Sequence, residues 1–300
     1  MKIVITGGSG FVGSNLIQFF NNNGIYNLTK IDLRSLNWKS QIDIEYDVII
    51  HLAGKAHDLK KVDDPQEYYE ANFELTKQLF DSFLDSSANV FVFLSSVKAS
   101  ADEVDGILIE HVQPNPKTDY GKSKLLAENY ILNQDLPKGK RVYILRPTMI
   151  YGYGNKGNLN LLYRLVDRGF PWPLGAFENQ RSFCSIENLC FVINEIFMNE
   201  SIPSGIYNVA DDGSISTNQL IALIAKSKNK KEIILKIPKK IILLFAKLGD
   251  IFKLPLTTER LTKLTESYVV SNNKIVNAIG KPMPIKTDEG LTQTLKTFKK

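Results

Sequence analysis

Tyr120-Gly-Lys-Ser-Lys124 sets a phenol and an ammonium four residues apart, which on a helix puts both on one face. A free tyrosine titrates near ~10, and a neighbouring cation favours its ionised form. A phenol tuned downward in this way can take the proton of a sugar or steroid hydroxyl near neutral pH and later return it. Ser95 and Ser96 close the apolar run Phe91-Val-Phe-Leu-Ser-Ser96, and one of their hydroxyls could hold the same oxygen. With 12 tyrosines in the chain a chance Tyr-x-x-x-Lys match is expected, so the weight of this one comes from the N-terminus.

There, Lys2-Ile-Val-Ile-Thr6 reads as a buried strand, Gly7-Gly-Ser-Gly10-Phe-Val-Gly13 as a turn, and Ser14 to Phe20 as the continuation of a helix. Strand, glycine turn and helix together make a dinucleotide cradle. The glycines permit a tight turn and close approach of backbone to a pyrophosphate, and the helix N-terminus offers free N–H groups to the phosphates. Gly7, Gly10, Phe11, Val12 and Gly13 are the candidate contacts. A second strand, Tyr26 to Ile31, ends at Asp32, nineteen residues after Gly13. That is near the ~20 expected of an acid that holds the adenosine ribose, and it favours NAD over NADP. Arg34 nearby could instead accommodate a 2′-phosphate.

Taken together, these motifs resemble the extended short-chain dehydrogenase/reductase family, the nucleotide-sugar epimerases and their relatives, over nearly the whole chain. His51-Leu-Ala-Gly54 resembles the family's segment beside the cofactor, which implies contacts from Leu52, Ala53 and Gly54. Asn72 resembles the asparagine early in the next long helix. The resemblance selects Ser96 rather than Ser95 as the catalytic serine, beside Tyr120 as acid–base and Lys124, which would also bind the nicotinamide ribose. Leu145-Arg-Pro147 with Tyr151-Gly-Tyr-Gly154 resembles the loop over the nicotinamide, which places Pro147 there. Asn158, Leu159 and Arg181 match UDP-sugar contacts, and Tyr268 is expected to line the sugar pocket.

Within the family, Ser-Ser-Val-Lys98 and the segment His51 to His57 are similar to a bacterial surface-polysaccharide branch. The activity this implies is 4-epimerisation of a UDP-hexose or UDP-N-acetylhexosamine with NAD. The alternative is an NAD(P)H-dependent 4-ketoreductase of a UDP-4-keto-6-deoxy-HexNAc, and a non-catalytic NAD-sensing role is the third class. Val97 and Lys98 follow Ser96 where the dehydratases carry an Asp-Glu pair, which argues against dehydration. His51 and His57 are expected to be structural. Either Arg260 or Lys263 could reach the diphosphate. Similar proteins pair their equivalents of 66–86 and 119–133 into a four-helix bundle, so a homodimer is expected.

With 300 residues, 43% of them hydrophobic, the chain can bury a large core. Strand–helix alternation to about residue 150 implies an α/β, Rossmann-type doubly wound parallel sheet over 1–150, with a smaller mixed α/β substrate lobe over 151–300 interleaved with it. Only fourteen residues separate Asp32 from Asp47, so the third strand of such a sheet is clipped or missing. No apolar run reaches the ~18 residues of a membrane span, and with Met1-Lys2 leading straight into the first strand no signal peptide is expected. Two cysteines without metal spacing fit a reducing cytoplasm. The net charge of +5 suits a nucleotide diphosphate and does not argue for nucleic acid. Lys239 to Leu248 is apolar with a basic edge. It could lie on a membrane surface, but the favoured reading is a lobe helix with an exposed lysine face.

Overall fold

Continuous apolar runs, rather than alternating ones, mark strands covered on both faces, and that is where the chain places them. The structure, a computed structural model, describes residues 1–24, 26–42, 45–55, 64–155, 158–254 and 256–298. His57 lies outside these residues, as does the side chain of Asn158. The strands in chain order are β1 (Lys2–Thr6), β2 (Asn27–Ile31), β3 (Val48–His51), β4 (Val90–Leu94), β5 (Ile107–Leu108), β6 (Arg141–Pro147), β7 (Met149–Tyr151), β8 (Phe183–Ser185), β9 (Gly205–Val209) and β10 (Val269–Val270).

Six of them form one parallel sheet in the order β2-β1-β3-β4-β6-β9. The order reverses between β1 and β3, and ligands of such sheets bind where the strand ends open at that point. Between Asp32 and Asp47 the described chain makes only the short helix Trp38–Ile42, which turns Trp38 and Ile42 into the core. Among the described residues no strand lies beyond β2, so the clipped third strand foreseen from the spacing is seen as a missing one.

Helices Phe11–Asn23 and Ile186–Met198 share one face of the sheet with Asn273–Ile279. Helices Leu75–Asp85 and Asp119–Leu132 cover the other. The chain therefore returns to the sheet after residue 150, with Ile186–Met198 and β9. A separate apolar cluster is built by helices Asn158–Asp167, Thr217–Ser227, Lys239–Phe252, Thr258–Thr265 and Thr287–Thr297. Ser216 caps Thr217–Ser227 through a full capping box with Gln219.

The two clusters meet at Asp211. Its carboxylate accepts from Tyr151 Oη (2.7 Å), Ser185 N (2.7 Å) and Asn188 Nδ2 (2.7 Å). A second tie is the β5–β10 ribbon, which carries Tyr268 against the segment after Ser96.

Candidate active site

The glycine turn is shaped by close approach. Gly7 sits at φ +69°, and a Cβ there would stand 2.6 Å from Ala53 N and 2.7 Å from Leu52 C. The turn thus lies directly against the Leu52-Ala53 backbone, where Ala53 N donates to Thr6 Oγ1 (3.3 Å). A Cβ on Gly10 would meet only Gly7 O, at 3.3 Å. Helix Phe11–Asn23 starts immediately after Gly10 with no side-chain cap and no acid in its first turn. Its N–H groups and partial positive charge are left for an anion, so the cradle fits a dinucleotide pyrophosphate. Val12 packs on the core, and Phe11 lies near Gly152 of the loop that follows Pro147. Asn15 Nδ2 donates to Tyr153 O (3.3 Å), which ties that loop across the same helix.

Asp32 stands at the end of β2, exposed and gripped by Arg34, whose Nε and Nη2 donate to it at 2.9 and 2.8 Å. This pairing holds the Asp32 carboxyl down to about 2. The acid and the arginine that pull opposite ways on cofactor choice are thus one ion pair. An open cleft of about 540 Å³ beside it is lined by Leu33, Arg34, Lys55, Glu67, Ala71 and Leu75.

Under this cradle, His51 is fully buried, with Nδ1 paired to Thr6 Oγ1 (2.7 Å) and Nε2 to Thr76 Oγ1 (2.9 Å). Burial first, and then the charge of Lys124, hold its pKa down to about 3. It is neutral in the fold but protonates near ~6.5 once unfolded. Its contribution to stability is therefore whole above about pH 6.5. It falls away toward about pH 3 at up to ~1.4 kcal/mol per pH unit. Asp211, raised to about 6 by burial, acts with the opposite sign: its contribution is present at low pH and is lost as pH rises from about 4 to 6. The difference in unfolding free energy between wild type and His51→Gln cancels the Asp211 part. That difference should shrink by about 2 kcal/mol between pH 7 and 5, and a difference flat in pH would remove His51 from the acid sensitivity.

Asn72 is held by a π-helical stretch, Glu70–Glu74, set between Gln66–Tyr69 and Leu75–Asp85. Such inserts recur at functional sites. Here the insert places the buried amide where Oδ1 accepts from Lys55 N (2.8 Å) while Nδ2 donates to Lys55 O (3.1 Å) and Ser123 Oγ (3.1 Å). Ser123 Oγ donates in turn to Tyr120 O (2.9 Å). Gly54 is pressed on the same cluster, since a Cβ there would come 2.7 Å from Asn72 Oδ1 and 3.1 Å from Lys124 Nζ.

Ser96, Tyr120 and Lys124 come together at the C-terminal end of β4. Ser96 caps the short turn Val97–Ala99 by accepting from Lys98 N (3.2 Å), and its hydroxyl shares a hydrogen bond with the Tyr120 phenol. Tyr120 packs edge-on against Tyr68, ring centroids 6.1 Å apart. Helix Asp119–Leu132, capped by Thr118, carries both Tyr120 and Lys124.

Lys124 departs from expectation. Its Nζ donates to Leu94 O (2.9 Å) and lies 4.7 Å from the Phe93 ring centre. The phenol of Tyr120 is not lowered by that ammonium. Burial pushes it above its ordinary value, with the Ser96 hydrogen bond pulling the other way. Burial brings Lys124 itself down to about 8, against the pull of Glu128.

Ser95 is buried and donates to Glu128 Oε1. Glu128 in turn grips Arg146 Nε (2.9 Å) and Nη2. The rival serine is thus committed to a buried ion pair while Ser96 faces Tyr120.

The substrate-side candidates are more scattered. Leu159 is only 2% exposed, its side chain turned into the lobe core. Arg181 donates to Glu266 O (3.2 Å) and Lys263 O, and pairs with the Glu266 carboxylate at 3.5 Å. Tyr268 donates to Ala101 O (2.6 Å), and its ring lies under Lys98 Nζ at 4.4 Å. Lys98 enters the sequence motifs only within Ser-Ser-Val-Lys98, with no site role given to it. It is two positions from Ser96, with its pKa lowered chiefly by burial and acted on by Asp102, Glu266, Arg181 and Lys263. Asp102 is four residues from Lys98, but Arg181, Lys263 and Glu266 are far off in sequence, as Glu128 is from Arg146, so no spacing rule could find those contacts.

A family model described as NAD dependent epimerase/dehydratase family matches residues 3–210. The chain belongs to this family. A UDP-glucose 4-epimerase of Vibrio cholerae is 28% identical, over 99% of this chain and 95% of that protein. The N-acetyl-alpha-D-glucosaminyl-diphospho-ditrans,octacis-undecaprenol 4-epimerase of Escherichia coli O157:H7 is 26% identical, over 98% and 94%. Among solved structures, a UDP-glucuronic acid 4-epimerase from Bacillus cereus in complex with NAD shares the fold at TM-score 0.76 and 19% identity, covering 99% and 98% of the two chains. For this epimerase/dehydratase family member, the glycine turn at Gly7 to Gly13 and Ser96 at the end of β4 both fall within the matched residues.

Proposed function

We propose that the chain is an NAD-dependent UDP-sugar 4-epimerase of the UDP-glucose/galactose or UDP-GlcNAc/GalNAc type. The observation that carries the reading is the Ser96–Tyr120 hydrogen bond at the end of β4, one helical turn from Lys124 and beside the glycine cradle. Bound NAD would supply a reversible hydride acceptor. Gly7, Gly10 and Gly13 with the first turn of helix Phe11–Asn23 would hold its pyrophosphate, and Leu52, Ala53, Gly54 and Pro147 would flank it. Asp32 would meet the adenosine ribose, and Lys124 the nicotinamide ribose.

Tyr120 takes the proton of the sugar C4 hydroxyl while Ser96 donates to the same oxygen. C4 would give its hydride to that acceptor and become a ketone, and, once the ketone has turned over in the site, would take the hydride back on its other face while Tyr120 returns the proton, so that C4 is inverted with no net oxidation. Arg181 and the backbone around Asn158 and Leu159 would hold the diphosphate and uracil end, and Tyr268 with Lys98 would border the sugar. We place the enzyme in the cytoplasm as a homodimer, whose molar mass light scattering would read.

Proton NMR of the purified protein with UDP-GlcNAc, and separately with UDP-glucose, tests this without added nicotinamide. Appearance of the C4 epimer is expected. No conversion of either sugar would reject the epimerase reading. Oxidation of NADH by a 4-keto-6-deoxy UDP-sugar would then establish the 4-ketoreductase. The Escherichia coli relative is named for a sugar on diphospho-undecaprenol, so the same measurement also decides whether uridine is the handle beyond the diphosphate.

A further inference from the structure

Between residues 226 and 253 the chain carries nine lysines against two acids, Glu232 and Asp250. That is +7, while the whole chain is +5, so everything else sums to −2. The positive charge of this protein is thus one local feature: Lys239, Lys240, Lys247 and Lys253 lie on or just after helix Lys239–Phe252, and the other five lysines precede it, Lys228 and Lys230 of them paired with Asp167.

This helix is apolar on two sides. Ile242, Ala246 and Gly249 are buried in the lobe core. On the far side Leu244, Phe245, Leu248, Ile251 and Phe252 stand between 36% and 71% exposed. The expected exposed lysine face is therefore an exposed apolar face with lysines at its border. At 3.6 residues per turn Lys240 and Lys247 fall along one margin of the apolar arc, and no acid falls inside it. Apolar surface of this extent, rimmed by charge, marks an interaction site.

We propose that this helix docks the protein on an anionic lipid bilayer, with Leu244, Phe245, Ile251 and Phe252 in the headgroup–acyl boundary and the lysines at lipid phosphates. Apolar bulk on one face with lysines at its border is the pattern of helices that lie in the membrane interface. A second copy of this chain would bring the same lysines, Lys240 and Lys247, to the border of the face, and like charge opposes that pairing. No helix among the described residues is long and apolar enough to cross a membrane, so the helix lies on the surface.

The neighbouring helix Thr258–Thr265 is the one whose Lys263 carbonyl, with that of Glu266 beyond it, holds Arg181. Docking would set that end of the site one helix away from the lipid. The proposal does not depend on which sugar is turned over.

Sedimentation of the full chain with phosphatidylcholine vesicles containing about 30% phosphatidylglycerol, and with pure phosphatidylcholine, tests it. Binding to the anionic vesicles should be at least about tenfold tighter and should weaken with salt. The double variant Leu244→Ser/Phe252→Ser should lose about tenfold or more while keeping its circular dichroism and Tm. Should that variant misfold, Lys240→Glu/Lys247→Glu carries the same expectation. Absence of binding to either vesicle overturns the proposal, as does wild-type binding by the folded variants. Ultracentrifugation without lipid that shows a dimer abolished by the apolar variant would assign the face to a second copy and overturn it too.

Discussion

Tyr120→Phe is expected to lower kcat by about 10²- to 10⁴-fold while leaving the cofactor bound. The substitution keeps the ring against Tyr68 and removes only the hydroxyl that meets Ser96. The cradle at Gly7 to Gly13 is built by other elements, so NAD released on denaturing the purified variant should match the wild type. Turnover within a few-fold of wild type would end the acid–base role assigned to Tyr120. Because burial raises this phenol, ionisation at neutral pH has to be assisted in the loaded site. Lys124, one helical turn along and brought down to about 8, is a group of this chain able to help while still charged. Activity should accordingly fall as pH rises past about 8.

Glu128→Ala is expected to destabilise the fold by about 3–5 kcal/mol, a large share of the ~5–15 kcal/mol that domains possess. Arg146 is 1% exposed and Glu128 is fully buried, so removing the acid strands a guanidinium in the interior. It also takes the acceptor from Ser95. One nitrogen of Arg146, Nη1, already finds no partner among the described residues, so the side chain has no spare contact to fall back on. Replacing both partners by apolar residues, Glu128→Leu with Arg146→Met, should cost far less than either single change. Urea unfolding of the three variants reads this directly. A Glu128→Ala loss under about 1 kcal/mol would mean the pair is solvated after all.

What the residues disclosed in advance was local. Gly7 to Gly13 after an apolar strand, and Tyr120 with Lys124 on one helix, are patterns held within a dozen residues. The short gap between Asp32 and Asp47 revealed even a missing strand, because chain length limits what can be built. Interactions across long separations were not legible. Ser95 meets Glu128 from 33 positions away, and Glu128 meets Arg146 from 18. The committed state of Ser95 is what distinguishes it from Ser96, and composition carries no trace of it. Asn72 could be named, but the π-helical stretch that aims it could not, since nothing in Glu-Ala-Asn-Phe-Glu breaks a regular helix. Helix Lys239–Phe252 was ambiguous because it is apolar nearly all round, so periodicity alone could not tell the buried side from the open one.

The clipped crossover after Asp32 has a further consequence. β2 hydrogen-bonds β1 and no other strand, so among the described residues its outer row of N–H and C=O groups faces no partner. An unpaired row of this kind is a template on which foreign strands add, and natural sheets must blunt it. Here the blunting is by brevity and charge. The strand is five residues long, with Asn27 and Lys30 exposed and only Ile31 buried. On a sheet edge left without an outer strand among the described residues, the charge of Lys30 works against the addition of a foreign strand.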